Sequence, residues 1–290
     1  MWRPALPDLV ASYWTVSGTL PGDAQEASVY GFRERVAAVA RAGFRGMGFW
    51  HSDLVAVMES LTLAEMKRIL EDHGIVRVEV EFLVDWFLEG PRKQASLERQ
   101  SLLFRAAEGL GAQTVKVGDF FNERVPMARL TDAFGELCRQ AAAVGTNIVF
   151  EPMASACVHT LADSLALVRG AGAPNGGLAL DVWHMVNQGE SFHDIARVPL
   201  EYLFAVELND SPVRPDEPRN FRAVHPRRFC GQGGFDLPGF VAAVRATGYT
   251  GPWGVEVISP ELVSLGLDEA ARRAFQSTVP FLAGSPSSST

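Results

Sequence analysis

The segment Ile148-Val149-Phe150-Glu151-Pro152 places a carboxylate directly after a short run of large apolar residues. The same arrangement recurs three more times, where apolar runs end in Asp181, Glu207 and Glu256. A short run of Ile, Val, Leu and Phe is typical of a β-strand that is buried on both faces, and its C-terminal end is accessible to solvent and ligands. The repeat therefore predicts that the ends of four strands together form one site.

Apolar, strand-like runs alternate with helical segments along the chain. The predicted strands cover residues 9–16, 46–50, 75–83, 114–117, 148–151, 178–181, 204–208 and 253–257. The predicted helices cover residues 30–41, 63–73, 96–110, 127–144, 161–169, 192–196, 236–246 and 267–282. Eight strands separated by helices favour an α/β fold of the (β/α)8 TIM-barrel class, with an open doubly wound sheet as the alternative. We predict a single domain over residues 1–284 and a disordered tail, rich in Ser and Pro, over residues 285–290.

The composition limits the classes of partner. Of the 290 residues, 47% are hydrophobic and 21% are charged, which is typical of a globular protein, and the formal net charge of -8 argues against nucleic-acid and anionic-membrane partners. The three cysteines are widely spaced and form no CxxC pair, which favours a reducing compartment. With no signal-peptide core and no membrane-spanning run, we expect a cytoplasmic protein. The sequence shows no interface, so the oligomeric state stays open, and a homo-oligomer is one possible form.

Several carboxylates in one pocket repel each other, so they persist only with a cation or with raised pKa values. Oxygen ligands favour a hard ion, so we expect one divalent metal, Mn or Mg first, held by Glu151, Asp181, Glu207 and Glu256. A histidine ligand would shift the preference towards Mn, Co, Fe or Zn. The alternative reading for any one of these acids is that it caps a helix or pairs with an arginine.

Several motifs in the chain resemble those of the sugar phosphate isomerase/epimerase superfamily. They are Glu151-Pro152, the D-x-x-H motif Asp181-Val182-Trp183-His184, the turn at 231–236, and Trp253-Gly254-Val255-Glu256. The superfamily comprises xylose-isomerase-like TIM barrels, including ketose 3-epimerases, inosose dehydratases and isomerases, and endonuclease IV. The likeness covers nearly the whole chain.

The resemblance implies that Glu151, Asp181 and Glu256 bind one divalent metal, while His184 contacts the substrate. Glu207 departs from the pattern, because relatives usually carry histidine there. It can still bind the metal or can pair with an arginine, and His225 on the following long loop is an alternative nitrogen ligand.

Such a site polarises a carbonyl and stabilises the enediolate that forms when the neighbouring carbon loses its proton. Glu151 and Glu256 are the expected catalytic bases. The expected activity is therefore that of a metal-dependent isomerase or epimerase of a keto sugar or cyclitol. The alternatives are a lyase, such as an inosose or dehydroshikimate-type dehydratase, and a non-catalytic barrel that serves as a partner subunit. An endonuclease IV-like phosphodiesterase is disfavoured, because six histidines supply too few nitrogen ligands for three zinc ions.

Three further residues are candidate substrate ligands. His51 follows the second strand, and Lys116 is a charge within an apolar strand, where it either faces the barrel mouth or pairs with a buried acid. Arg228 belongs to the long segment 211–229, which is rich in Pro and Arg and is interpreted either as a lid or as a solvated loop.

Overall fold

Parallel strands pair in sequence order and close into a barrel, because β1 pairs with β8 as well as with β2. The structure is a computed structural model that describes residues 6–214, 216–217 and 226–283. The strands are β1 Leu9–Ala11, β2 Gly46–Trp50, β3 Arg77–Leu83, β4 Thr114–Val117, β5 Asn147–Phe150, β6 Gly176–Asp181, β7 Leu203–Leu208 and β8 Trp253–Val255. The predicted (β/α)8 barrel is confirmed, and the open doubly wound sheet is excluded.

Helices follow the strands and cover the outside of the barrel. They are α1 Tyr13–Val16, α2 Phe32–Ala42, α3 His51–Met58, α4 Leu63–Asp72, α5 Pro91–Leu110, α6 Met127–Ala142, α7 Leu161–Ala171, α8 Val182–Gln188, α9 Phe192–Ile195, α10 Leu237–Ala246, α11 Pro260–Ser264 and α12 Leu267–Leu282, with a 3-10 turn at Leu200–Tyr202. Local sequence signals mark the ends of these helices. Thr62 and Glu65 form a capping box at the start of α4, and Gly111 ends α5 in the left-handed conformation, with a φ of 70°. None of the helices in the described ranges combines the length and apolar composition needed to cross a membrane.

The residues that point into the barrel explain where the functional site lies. Val149, Ala179 and Ala205 form a small apolar cluster of their own. Because side chains alternate along a strand, the next inward position on each of these strands is two residues later. Those positions are Glu151, Asp181 and Glu207. The same face of three neighbouring strands therefore changes from apolar to acidic at the C-terminal end of the barrel.

Several elements differ from the sequence prediction. The first strand was predicted over residues 9–16, but β1 ends at Ala11 and Tyr13–Val16 is helical. This short helix brings the Thr15 hydroxyl to the carbonyl oxygen of Val255 at 2.8 Å, a tertiary contact that outweighs the strand preference of Tyr, Trp and Val. Three short helices were not predicted: α3 directly after β2, α8 directly after β6, and α11 after β8. The predicted tail, 285–290, lies outside the described residues.

Candidate metal centre

Four carboxylates converge at the C-terminal ends of consecutive strands. Glu151 follows β5, Asp181 ends β6, Glu207 lies in β7, and Glu256 follows β8. We call these four residues the acidic cluster. Each contributes an oxygen atom that lies within 4.8 Å of the oxygens of the others. All four are at least 95% buried, so the structure brings together the four residues predicted to form one site.

Two basic side chains penetrate this region from different elements. Lys116 on β4 places its Nζ 2.8 Å from Glu207 Oε1 and 3.1 Å from Glu81 Oε2. Arg227 places its Nη1 2.8 Å from Asp181 Oδ2 and donates a hydrogen bond to Glu256 Oε2. With Glu81 included, five carboxylates face two cations. Three negative charges therefore remain in excess when every acid is ionised.

The protein alone relieves this excess by retaining protons. Burial raises the pKa of Glu256 to about 7, although Arg227 opposes the rise, and burial likewise raises the pKa of Glu81 to about 7 against the effect of Lys116. Burial also raises the pKa of Glu151 well above its ordinary value. Glu207 is the exception: burial would raise its pKa, but Lys116 and the Ser12 hydroxyl together hold it below the ordinary value. A divalent cation would relieve the same repulsion without protons.

The donor atoms of the cluster fit such a cation. Glu207 Oε2 is buried and has no hydrogen-bond partner among the described residues, so it is available as a ligand atom. The four carboxylates form an all-oxygen set, which suits a hard divalent ion. A second candidate set combines Glu151 and Asp181 with His184, which would add a nitrogen ligand. The residues present therefore fit a single divalent metal ion.

His184 is placed beside the cluster by the D-x-x-H motif. The Asp181 carboxylate caps α8 by accepting the backbone N–H of Trp183 at 2.8 Å, so His184 comes in the first turn of the helix. Its Nε2 lies 3.6 Å from Glu151 Oε1. Burial, with the nearby positive charges of Arg227 and Lys116, lowers the pKa of His184 well below its ordinary value. The imidazole is therefore neutral at physiological pH.

A cavity of about 450 Å³ borders the acidic cluster through His184 and Arg227. The remaining walls are mostly apolar and consist of Leu20, Pro21, Phe120, Met153, Ala154, Ser155, Trp183, Pro226, Ile258 and Pro260. The Arg227 guanidinium also lies over the Trp183 ring, 5.2 Å from its centroid. A compact ring with few polar substituents would fit these walls better than an extended polyol, because the walls offer few hydrogen-bond partners.

The other predicted site residues fall in different places. His51 begins α3 beside Trp50, and burial lowers its pKa to about 4; it does not line the cavity of about 450 Å³. Arg228 is exposed and donates to the carbonyl oxygen of Gln232 at 3.1 Å, so its guanidinium lies away from the cluster. Lys116 pairs with the buried acids Glu81 and Glu207, so the ion-pair interpretation of this residue describes its contacts. His225 lies outside the described residues.

Sequence reasoning missed three residues of the site. Arg227 lies in the Arg-rich segment 211–229 but was not singled out, and neither were Ser12 and Glu81. One signal was present for Glu81: in Val78-Glu79-Val80-Glu81 the charged residues alternate with valines, which places both glutamates on the inward face of β3.

Comparisons with known proteins agree with this architecture. The sequence profile of the xylose isomerase-like TIM barrel matches residues 36–279. A 3-dehydroshikimate dehydratase of Pseudomonas aeruginosa (strain PAO1) is 33% identical over 254 residues, which is 84% of this chain but 37% of that protein. An inosose isomerase of Bacillus subtilis (strain 168) is 27% identical over 150 residues, 51% of this chain and 53% of the isomerase.

The fold is also shared with solved structures. A crystal structure of the IOLI protein with a bound zinc atom superposes with a TM-score of 0.83 at 18% identity, covering 97% of this chain and 99% of that one. At this level of identity the likeness shows the fold alone. Because the chain spans only 37% of the length of the dehydratase, the activity of that longer protein is not transferred by the match.

Proposed function

Because the chain belongs to the xylose isomerase-like TIM barrel family, we propose that it is a divalent-metal-dependent enzyme that removes a proton next to the carbonyl group of a hydroxylated ketone. The observation that carries the proposal is the acidic cluster: four buried carboxylates whose oxygens lie within 4.8 Å of one another at the catalytic end of a TIM barrel. When bound, the metal supplies charge that polarises the carbonyl and makes the adjacent C–H group acidic. Mn²⁺ and Mg²⁺ suit the oxygen ligands best, with Co²⁺, Fe²⁺ and Zn²⁺ as alternatives.

Glu151 is the proposed base. Burial raises the pKa of its carboxyl group well above the ordinary value in the metal-free protein. A carboxylate held at the catalytic end of the barrel is the type of group that removes a proton next to a carbonyl. His184, neutral and 3.6 Å away, can orient a substrate hydroxyl by a hydrogen bond without adding positive charge. Arg227 donates a hydrogen bond to Glu256. Glu256 follows β8, which is three strands away from β5, so it approaches the cluster from a different side than Glu151 does.

Dehydration is the reaction we place first. Glu151 takes the proton from the carbon next to the carbonyl, and the electron pair of that C–H bond forms an enolate. The enolate then re-forms the carbonyl, a double bond forms between the deprotonated carbon and its neighbour, and the C–O bond of the hydroxyl group on that neighbour breaks. The leaving hydroxide takes the proton back from Glu151 and departs as water, so atoms and charges balance. Two observations support this choice: the dehydratase from P. aeruginosa matches 84% of the chain, and the apolar walls of the cavity suit a ring that has few hydroxyl groups.

Isomerisation or epimerisation of a keto sugar or cyclitol is the second candidate. It begins with the same proton transfer, after which the proton returns to the opposite face or to the neighbouring carbon. The placement of Glu151 and Glu256 on strands three apart favours it, because two carboxylates can then address opposite faces of one substrate. The inosose isomerase match supports it over 51% of the chain.

One experiment separates the two reactions. Metal-loaded protein is incubated with 3-dehydroshikimate, with an inosose and with a keto hexose, and the products are followed by mass spectrometry and ultraviolet absorbance. Dehydration removes one water and extends the conjugated system, whereas isomerisation conserves mass. Glu151→Gln is expected to lower turnover by a factor of about 10² to 10⁴, and the exposed Glu71→Gln is the matched control that retains it. Turnover in Glu151→Gln at the rate of the parent would contradict the assignment of the base.

A further inference from the structure

We infer that Lys116 is a positioning residue that holds one oxygen of Glu207, so that Glu207 presents only its other oxygen to the divalent ion; the inference rests on the metal site proposed above. Lys116 Nζ lies 2.8 Å from Glu207 Oε1. The Ser12 hydroxyl donates to that same oxygen at 2.7 Å. Glu207 Oε2, by contrast, has no hydrogen-bond partner among the described residues, and Glu207 is one of the four acids whose carboxylate oxygens converge.

The consequence for coordination follows from how carboxylates bind cations. A carboxylate without other partners binds a cation through one oxygen or through both. A carboxylate with one oxygen that already accepts two hydrogen bonds binds the cation through its other oxygen alone. An ion that accepted about six ligands, four of them single oxygens of the acidic cluster, would keep about two positions for a carbonyl and a neighbouring hydroxyl. If Glu207 bound through both oxygens, it would take one of those positions from the substrate.

Lys116 is itself fixed, which makes it suitable for this role. Its side chain is 2% exposed, and a second contact of 3.1 Å to Glu81 Oε2 holds the ammonium group from β3. The far side of Glu207 is limited as well: an added Cβ at Gly254 would lie 2.7 Å from Glu207 Cγ. Lys116 and Ser12 therefore hold Glu207 at Oε1, and the β8 backbone at Gly254 limits the movement of its Cγ.

The test counts water molecules on bound manganese. Mn²⁺ is titrated into metal-free protein, its affinity is measured by electron paramagnetic resonance, and exchangeable water ligands are counted by water-proton relaxation. The parent is compared with Lys116→Met, which keeps most of the length of the side chain but removes the charged amino group, and with Ser12→Ala, which removes the second donor. Arg35→Met is the control, because it breaks another buried ion pair, to Asp53 at 2.6 Å, outside the acidic cluster.

We expect Lys116→Met to bind Mn²⁺ with one exchangeable water fewer than the parent, and Ser12→Ala to shift in the same direction by a smaller amount. Arg35→Met is expected to lose stability without changing the water count. Equal water counts in the parent and in Ser12→Ala and Lys116→Met, with the parent binding Mn²⁺ normally, would overturn the inference but leave the proposed function standing. A parent that binds no Mn²⁺ would overturn the proposed function itself.

Discussion

Replacing Glu256 with Gln is expected to stabilise the metal-free protein at alkaline pH while it weakens metal binding. Burial raises the pKa of Glu256 from 4.5 to about 7 even with Arg227 beside it. The folded chain therefore keeps this proton at pH values where the unfolded chain has released it. The favourable contribution is complete below the unfolded pKa and is lost as the pH rises through about 7. At about 1.4 kcal/mol per pKa unit, the ionised carboxylate costs the folded state about 3 kcal/mol above that pH.

Glutamine occupies nearly the same volume and carries no charge, so the variant avoids that cost. We expect the free energy of unfolding of metal-free Glu256→Gln to exceed that of the parent by about 3 kcal/mol near pH 8.5 and to match it near pH 4.5. Urea unfolding of chelator-treated protein at both pH values measures the difference. Added Mn²⁺ should reverse the order, because it stabilises the parent in proportion to its affinity. A metal-free variant that is less stable than the parent near pH 8.5 would refute the reasoning.

Three other variants test separate parts of the site. Glu151→Gln should lower kcat by a factor of about 10² to 10⁴, the usual contribution of a positioned base, and an unchanged kcat would remove Glu151 from that role. Arg227→Met should tighten Mn²⁺ binding about tenfold in calorimetric titration, since the cation that contacts Asp181 and Glu256 is lost; weaker binding would contradict this. Gly254→Ala should lower the free energy of unfolding by about 1–3 kcal/mol, because the new methyl group would press on Glu207 Cγ, and an unchanged urea midpoint would disagree.

The barrel and the acidic cluster could be predicted because both depend on local patterns. Buried parallel strands appear as short apolar runs, and their C-terminal ends meet at one edge of the barrel, so acids at those ends are neighbours once the barrel closes. In the β6–β7 pairing, for example, Asp181 lies directly beside Glu207, so two of the predicted acids are neighbours.

The parts that could not be predicted depend on three-dimensional packing. Arg227 and Arg228 are adjacent in sequence. The Arg228 backbone pairs with Asp210 and the Arg227 N–H donates to the carbonyl oxygen of Ile258, and in this arrangement the Arg227 guanidinium reaches the cluster. Ser12 and Glu207 are 195 residues apart, so their hydrogen bond exists only because the closed barrel brings β1 and β7 to the same interior. The segment Tyr13–Val16 was predicted as part of a strand because its residues favour strands, but its tertiary contacts stabilise a helix.

Metal content is the most direct test of the central claim that the acidic cluster binds one divalent ion. Elemental mass spectrometry is applied to protein purified without chelator, before and after incubation with Mn²⁺, beside a variant that carries both Glu151→Gln and Glu256→Gln. We expect close to one divalent ion per chain in the parent and almost none in the variant. No metal in the parent, even after incubation, would contradict the enolising mechanism and favour a barrel that acts as a non-catalytic partner subunit.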